Sequence, residues 1–220
     1  MATLLMRSQG PMQSWGSRSR FEERDTEREP TKSGIIGLIC AALGRDREEK
    51  IDDLVALTMG VRADNEGTVR VDFHTALNVI SANTKAHSTQ LSRRAYLADG
   101  VFLVGLESSN VGLLNEIQEG LKNPIWPLFL GRKSFLPSPQ VLLADGIKEN
   151  QTLLEALTSY PALIKSKEEK SVRILIETEE DSHSENRWDQ PVSFAFDKRE
   201  FRKRFLKKVW VNFPKEEVNG

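Results

Sequence analysis

The chain has 220 residues, of which 39% are hydrophobic and 29% charged, with a formal net charge of −1. That length allows a sizeable core, in one domain or two small ones, and the composition is that of an ordinary globular protein. No apolar run approaches the roughly 20 residues that cross a bilayer, and the near-zero balance excludes a generally basic nucleic-acid binder while leaving local charge open.

TLLMRS (3–8) reads as a first strand closed by GPMQSWG, where Gly10, Pro11 and Gly16 force turns. The start lacks the basic and long apolar stretches of a signal peptide, and the single Cys40 sits in an apolar run. Both features point to a reducing cytoplasm and an inert thiol. SRSRFEERDTERE (17–29) alternates in charge with little apolar content, as an exposed mobile loop would. Ile35, Leu38, Ile39, Ala42 and Leu43 recur at helical spacing, with Ser33 as expected N-cap and Gly44 as the stop. Ile36 and Cys40 make this helix apolar nearly all round, hence deeply packed. EEKIDDLVALTMG (48–60) reads as a second helix.

VRVDFHTALNVI (69–80) alternates as a strand, with Val69, Val71, Phe73, Thr75, Leu77 and Val79 on one face. His74 falls on its polar face. A polar and basic stretch (81–100) follows, then the apolar strand VFLVGLE (101–107). NVGLLNEIQEGLKN (110–123) places Leu113, Leu114, Ile117 and Leu121 on one side of a helix. With a strand near 136–143 the order becomes βαββαβ, the ferredoxin-like (RRM-like) arrangement of an α+β protein. Beyond residue 145 the pattern changes to LLEAL and three short alternating strands, VRILIE, VSFAF and KKVWVNF. It reads as a smaller β-rich unit over 146–220, after a first domain over 1–145.

Thr31-Lys32-Ser33 begins the apolar helix like a phosphate loop, but the glycines that would surround a triphosphate are missing, since Pro30 and Glu29 precede it. Two readings remain: a helix cap alone, or a cap that also holds one phosphate on first-turn amides and the Lys32 ammonium. His74, His87 and His183 are scattered and no CxxC or HxxxH occurs, so no metal or other cofactor is expected. FLGRKSFLPSP (129–139) sets Gly131 before Arg132 and Lys133, either an exposed turn or an anion-binding loop. Arg93 and Arg94 beside Tyr96 combine cations with a stacking ring, as single-stranded RNA sites do, or are ordinary surface residues. DKREFRKRFLKK (197–208) carries seven cations against two anions and is either a solvated face or a nucleic-acid contact.

GPMQSWGSRSRFEERDTEREPTKSGIIGLICAALGR (10–45), followed by DFHTA (72–76), HSTQLSRRAYLADGVFLVGLE (87–107) and FLGRKSFLPS (129–138), resembles the family-five CRISPR-associated proteins, in the type I-E branch that serves Cascade complexes. The resemblance covers residues 3 to 142. It implies a modified ferredoxin-like fold with a β-hairpin thumb, expected at about 76–100. It also implies a role in binding the 5′ handle of the CRISPR RNA and capping one end of the backbone filament. The implied partners are that RNA, the backbone, large and small subunits of the complex, and target DNA through the assembly, with no membrane. Matched by motif, Gln13, Ser14 and Trp15 fall near the handle, as do Lys32 and Ser33 at the helix start, with Gly131, Arg132 and Lys133 in the glycine loop and Arg93, Arg94 and Tyr96 on the thumb side. Phosphate contacts would come from the cations, and Gln13, hydroxyls and amides would read unstacked bases. A type I-C branch of the family cuts repeat RNA without metal, using a late-helix tyrosine and a lysine–histidine pair. Those positions read here as Leu43 and Ala86-His87, so a non-catalytic binder is expected. The alternative is a metal-independent endoribonuclease using His87, with Lys85 or His74.

Overall fold

The computed structural model describes residues 1–17, 23–80, 86–164 and 169–213. It is a mixed α/β protein dominated by sheet. A seven-stranded sheet is built from β1 (Ala2–Gln9), β4 (Thr58–Asn65), β7 (Val101–Ser108), β8 (Leu142–Glu149), β9 (Lys170–Thr178), β10 (Glu185–Ser193) and β11 (Glu200–Phe213). Their order is β10-β11-β9-β4-β7-β1-β8, and every pairing is antiparallel. A second sheet joins β2 (Met12–Gln13), β3 (Glu23–Arg24), β5 (Thr68–Ile80) and β6 (His87–Ala98).

Helix α1 (Lys32–Leu43) and helix α3 (Val111–Lys122) pack together on one face of the large sheet. Ile35, Ile36 and Ile39 of α1 are almost inaccessible, and burying each contributes about 1.5–3 kcal/mol. Leu113, Leu114, Ile117 and Leu121 of α3 are buried as their spacing requires. The opposite face carries α4 (Leu153–Ser159), whose Leu153, Ala156 and Leu157 meet Leu5, Leu103 and Ile174. Its Thr152 and Glu155 form a reciprocal capping box, which satisfies orphan first-turn amides. Gly44 ends α1 in the left-handed region at φ 72°, where a side chain would be strained.

Several expectations change. Thr31, not Ser33, caps α1, its hydroxyl accepting from the Gly34 amide. The second expected helix shrinks to α2 (Asp52–Val55), and the chain from Thr58 is strand β4. Buried on both faces, β4 lacks the alternation that marks a half-exposed strand. It, rather than 69–80, fills the second-strand place beside β7. The last of the six elements is β8 at 142–149, not 136–143.

Strand β5 instead pairs with β6 in a long hairpin over 68–98, starting before the expected 76–100, and residues 81–85 lie outside the described residues. Val71, Phe73 and Leu77 are 63%, 60% and 72% exposed, so the alternation there reflects a ribbon standing off the body, not a strand on the core. The expected separate unit from 146 is also corrected. Strand β9 pairs with β4, so β9, β10 and β11 widen the same sheet. The segment 23–29, expected to be mobile, is tied down: β3 runs parallel to β6. Glu29, 3% exposed, forms ion pairs with Arg173 (2.8 Å) and Arg187 (2.5 Å).

Candidate nucleic-acid interface

Three stretches distant in sequence meet at the start of α1. The turn after β2 is held by the Ser14 amide donating to the Leu130 carbonyl (3.0 Å). The Trp15 amide donates to the Thr26 hydroxyl (2.9 Å), and the Glu27 amide to the Trp15 carbonyl (3.0 Å). Gly131 adopts φ 91°, and a Cβ there would lie 1.8 Å from the Ser14 carbonyl oxygen. Only glycine permits that approach. The result is a cleft of about 270 Å³ lined by the 14–16 turn, Thr31, Ser33 and Gly34 of the helix start, and Gly131 and Arg132. Arg24, Arg199, Phe194 and Phe201 complete it.

Among the described residues no carboxylate lines this cleft, whereas Arg24, Arg132 and Arg199 do. Arg132 is half-buried, donates to the Ala95 carbonyl (2.7 Å) and lies 5.3 Å over the Phe135 ring. Burial and then the nearby Arg94 push its pKa below the usual guanidinium value, with Arg24 adding to the push and Asp72 opposing it. A guanidinium whose neighbours already disfavour its charge is stabilised when an anion arrives. The cleft therefore suits a phosphate-bearing ligand.

The residues expected at the site divide. Ser14, Trp15, Ser33, Gly131 and Arg132 line the cleft, and Lys133 is exposed beside it. Arg93 is exposed on β6, Arg94 is half-buried, and Tyr96 packs 6.0 Å from Phe135 at the hairpin base. Gln13, Trp15 and Lys32 have buried side chains. Gln13 is fully buried: its amide donates to the Gly100 carbonyl (2.7 Å), while its oxygen accepts from the Ser8 hydroxyl and the Trp15 indole. It braces the turn and has no base-reading group to offer. Trp15, 1% exposed, brings its ring within 2.8 Å of where a Gly34 Cβ would stand, and so seats the helix start. Lys32 is 1% exposed, with its ammonium 2.9 Å from both oxygens of Glu177. Its backbone amide donates to Asp189, which holds Arg204 through two bonds (2.6 and 2.8 Å). Lys32 thus locks α1 to β9–β11 instead of facing a ligand.

His74 lies opposite Ser92 in the hairpin and His87 opposite Ile80. Five residues of strand separate Ser92 from His87, roughly 17 Å at about 3.3 Å per residue, so the two imidazoles cannot serve one scissile bond. Lys85 lies outside the described residues. Sequence reasoning missed Arg24, Phe194, Arg199 and Phe201 as site residues. For Arg199 and Phe201 the signal was the basic run at 197–208, whose position relative to α1 is set by β10 and β11.

The family model for the CRISPR-associated protein (Cas_Cas5) matches residues 3–207. The chain is 33% identical over 147 residues to the CRISPR system Cascade subunit CasD of Escherichia coli (strain K12). That match covers 60% of this chain and spans 65% of the relative's length. A crystal structure of a Cas protein superposes with a TM-score of 0.80 at 43% identity, covering 97% of this chain and 98% of that one. A chain of a CRISPR RNA-guided surveillance complex superposes with a TM-score of 0.79 at 30% identity, covering 96% and 91%.

Proposed function

The chain belongs to the CRISPR-associated protein family Cas_Cas5, and on that premise we propose that it is a non-catalytic subunit of a type I-E CRISPR surveillance complex. In this reading it binds the 5′ handle of the guide RNA and caps one end of the backbone filament, in the cytoplasm, supporting guided recognition of target DNA. The observation that carries the reading is the convergence of the 14–16 turn, the α1 start and the Gly131 loop on one arginine-lined cleft, with no carboxylate among its described lining residues. Arg132 and Lys133 supply phosphate contacts, the Ser33 hydroxyl adds a donor, and Arg93 and Arg94 extend the basic path along the hairpin. The strand order β4-β7-β1-β8, with α1 and α3 on one face, supports a modified ferredoxin-like core. The β5–β6 hairpin is then its thumb, and exposed Val71, Phe73 and Leu91 suit contact with neighbouring subunits.

The test is assembly of the complex on a handle-bearing RNA with wild-type or Arg132→Ala protein. Binding should weaken, and the dependence of log affinity on log salt should flatten by about 0.7 for each phosphate contact removed from a single strand. Unchanged affinity and slope would sink the reading. Incubating the protein with repeat RNA in EDTA should give no specific cleavage, consistent with the separation of His74 and His87.

A further inference from the structure

The motifs at 14–16, 31–34 and 131–133 leave the basic run at 197–208 without a role. The structure divides that run. Arg204 is buried against Asp189, Lys208 pairs with Glu185 and Arg202 with Glu200. Arg199 instead lines the cleft at the α1 start. Its guanidinium lies 5.2 Å over the Phe201 ring, which Phe194 meets edge-on at 6.4 Å. A larger cleft of about 350 Å³ also touches this segment, but its Glu177 and Arg204 are engaged internally with Lys32 and Asp189. It therefore offers no comparable excess of charge.

We propose that Arg199, backed by Phe201, is a stacking platform for one unpaired nucleotide of the bound RNA, whose flanking phosphates face Arg24 and Arg132. This rests on the guide-binding reading above and adds a wall of the site contributed by the β10–β11 connection. An arginine guanidinium is planar and weakly hydrated, and beside an aromatic ring it offers a base a surface to stack on. Phe194, edge-on to Phe201, helps fix the ring's orientation. The cleft's size admits one nucleotide and not a duplex, and its three arginines, with no carboxylate among the described lining residues, favour a polyanion over a mixed-charge peptide.

The experiment uses the assembled complex on handle-bearing RNA with 4-thiouridine placed at one handle position at a time. After irradiation, cross-linked peptides are mapped by mass spectrometry. One position should cross-link within residues 194–201. Arg199→Ala should remove that cross-link and weaken RNA binding about tenfold, the scale of one lost base stack. Arg199 is exposed, so the substitution does not disturb the core. Arg199→Lys keeps the charge but not the plane and should fail to restore binding; full restoration would reduce Arg199 to a phosphate contact and overturn the platform. Cross-links confined to 14–16 and 131–133, with Arg199→Ala binding normally, would also overturn it while leaving guide binding intact. If the wild-type complex fails to hold the RNA, both readings fall. If Arg199→Ala blocks assembly before RNA is added, the cleft holds a protein segment and the platform is wrong.

Discussion

Replacing Lys32 by alanine would leave the Glu177 carboxylate, bonded at 2.9 Å through both oxygens, without its cation in a largely dry site. Removing one partner of such a pair costs about 3 kcal/mol. Lys32→Ala should therefore lower the denaturant midpoint, while the salt dependence of RNA binding by the folded protein stays the same. Arg132→Ala should do the reverse. Comparing chemical denaturation with salt-titrated RNA binding separates the two, and a flattened salt slope for Lys32→Ala would contradict the buried role. Gly131 is a different kind of residue: with φ 91° and Ser14 so close, Gly131→Ala pushes the loop off the 14–16 turn. RNA affinity should fall more than stability, as measured by binding and melting of the same preparation. Cys40 is buried, and that burial raises its pKa to about 11. Alkylation at pH 8 should be slow until denaturant is added, because the thiolate is scarce and shielded.

At the scale of elements, α1 is held at its start by a cap and a carboxylate. Thr31 caps the Gly34 amide, and Asp189 takes the Lys32 amide. Thr31→Ala should cost about 1 kcal/mol, read from the denaturation midpoint. Burial works to raise the Asp189 pKa, but the two bonds from Arg204, with the Lys32 amide, win and hold it below the ordinary carboxyl value of 3.8. The sign follows. A carboxylate depressed in the folded state contributes stability that is fully present above about pH 4 and is lost as pH falls through the lowered value. Asp189→Asn should therefore be less stable at neutral pH and show a shallower loss of stability below pH 4, measured by denaturation at a series of pH values. Because Asp189 sits on β10 beside the connection that carries Arg199, acid should loosen the cleft and the C-terminal strands together.

At the scale of the whole molecule, β9–β11 belong to the same body as the first strands. Besides the β4–β9 pairing, Arg173 and Arg187 hold Glu29, and Glu177 holds Lys32. Arg62 of β4 is fully buried, bonded to Asp64 and to the carbonyls of Leu157, Tyr160 and Pro161 around the end of α4. Removing the C-terminal strands would expose the β4 edge and leave Glu29 and Lys32 as unpaired buried charges. A chain ending at residue 164 should fail to fold, by circular dichroism, whereas the intact chain should unfold in one cooperative thermal transition. Two separated transitions would instead favour an independent C-terminal unit.

Local pattern was sufficient where one element meets one environment. The apolar run of α1, the four leucine and isoleucine positions of α3, the strand at 101–107 and the turn residues around Gly10 and Gly16 were all legible, because periodicity and backbone chemistry act within a few residues. The motif blocks also carried the family. The alternation of 69–80 misled, since a two-stranded ribbon has the same period as a half-buried strand and differs only in what covers it. Strand β4 was hidden because burial on both faces erases alternation. Burial was least legible at Lys32, Gln13 and Trp15, residue types that suit RNA contact and that the fold packs as internal braces. Whether a cation is a ligand or a strut depends on whether a carboxylate lies within reach. Glu177, 145 positions away in the chain, and Arg199, brought to the α1 start by β10 and β11, were decided by sheet pairing. Residue chemistry and local periodicity set which groups were available and which elements could form; long-range strand order set which of those charges met each other and which were left facing the cleft.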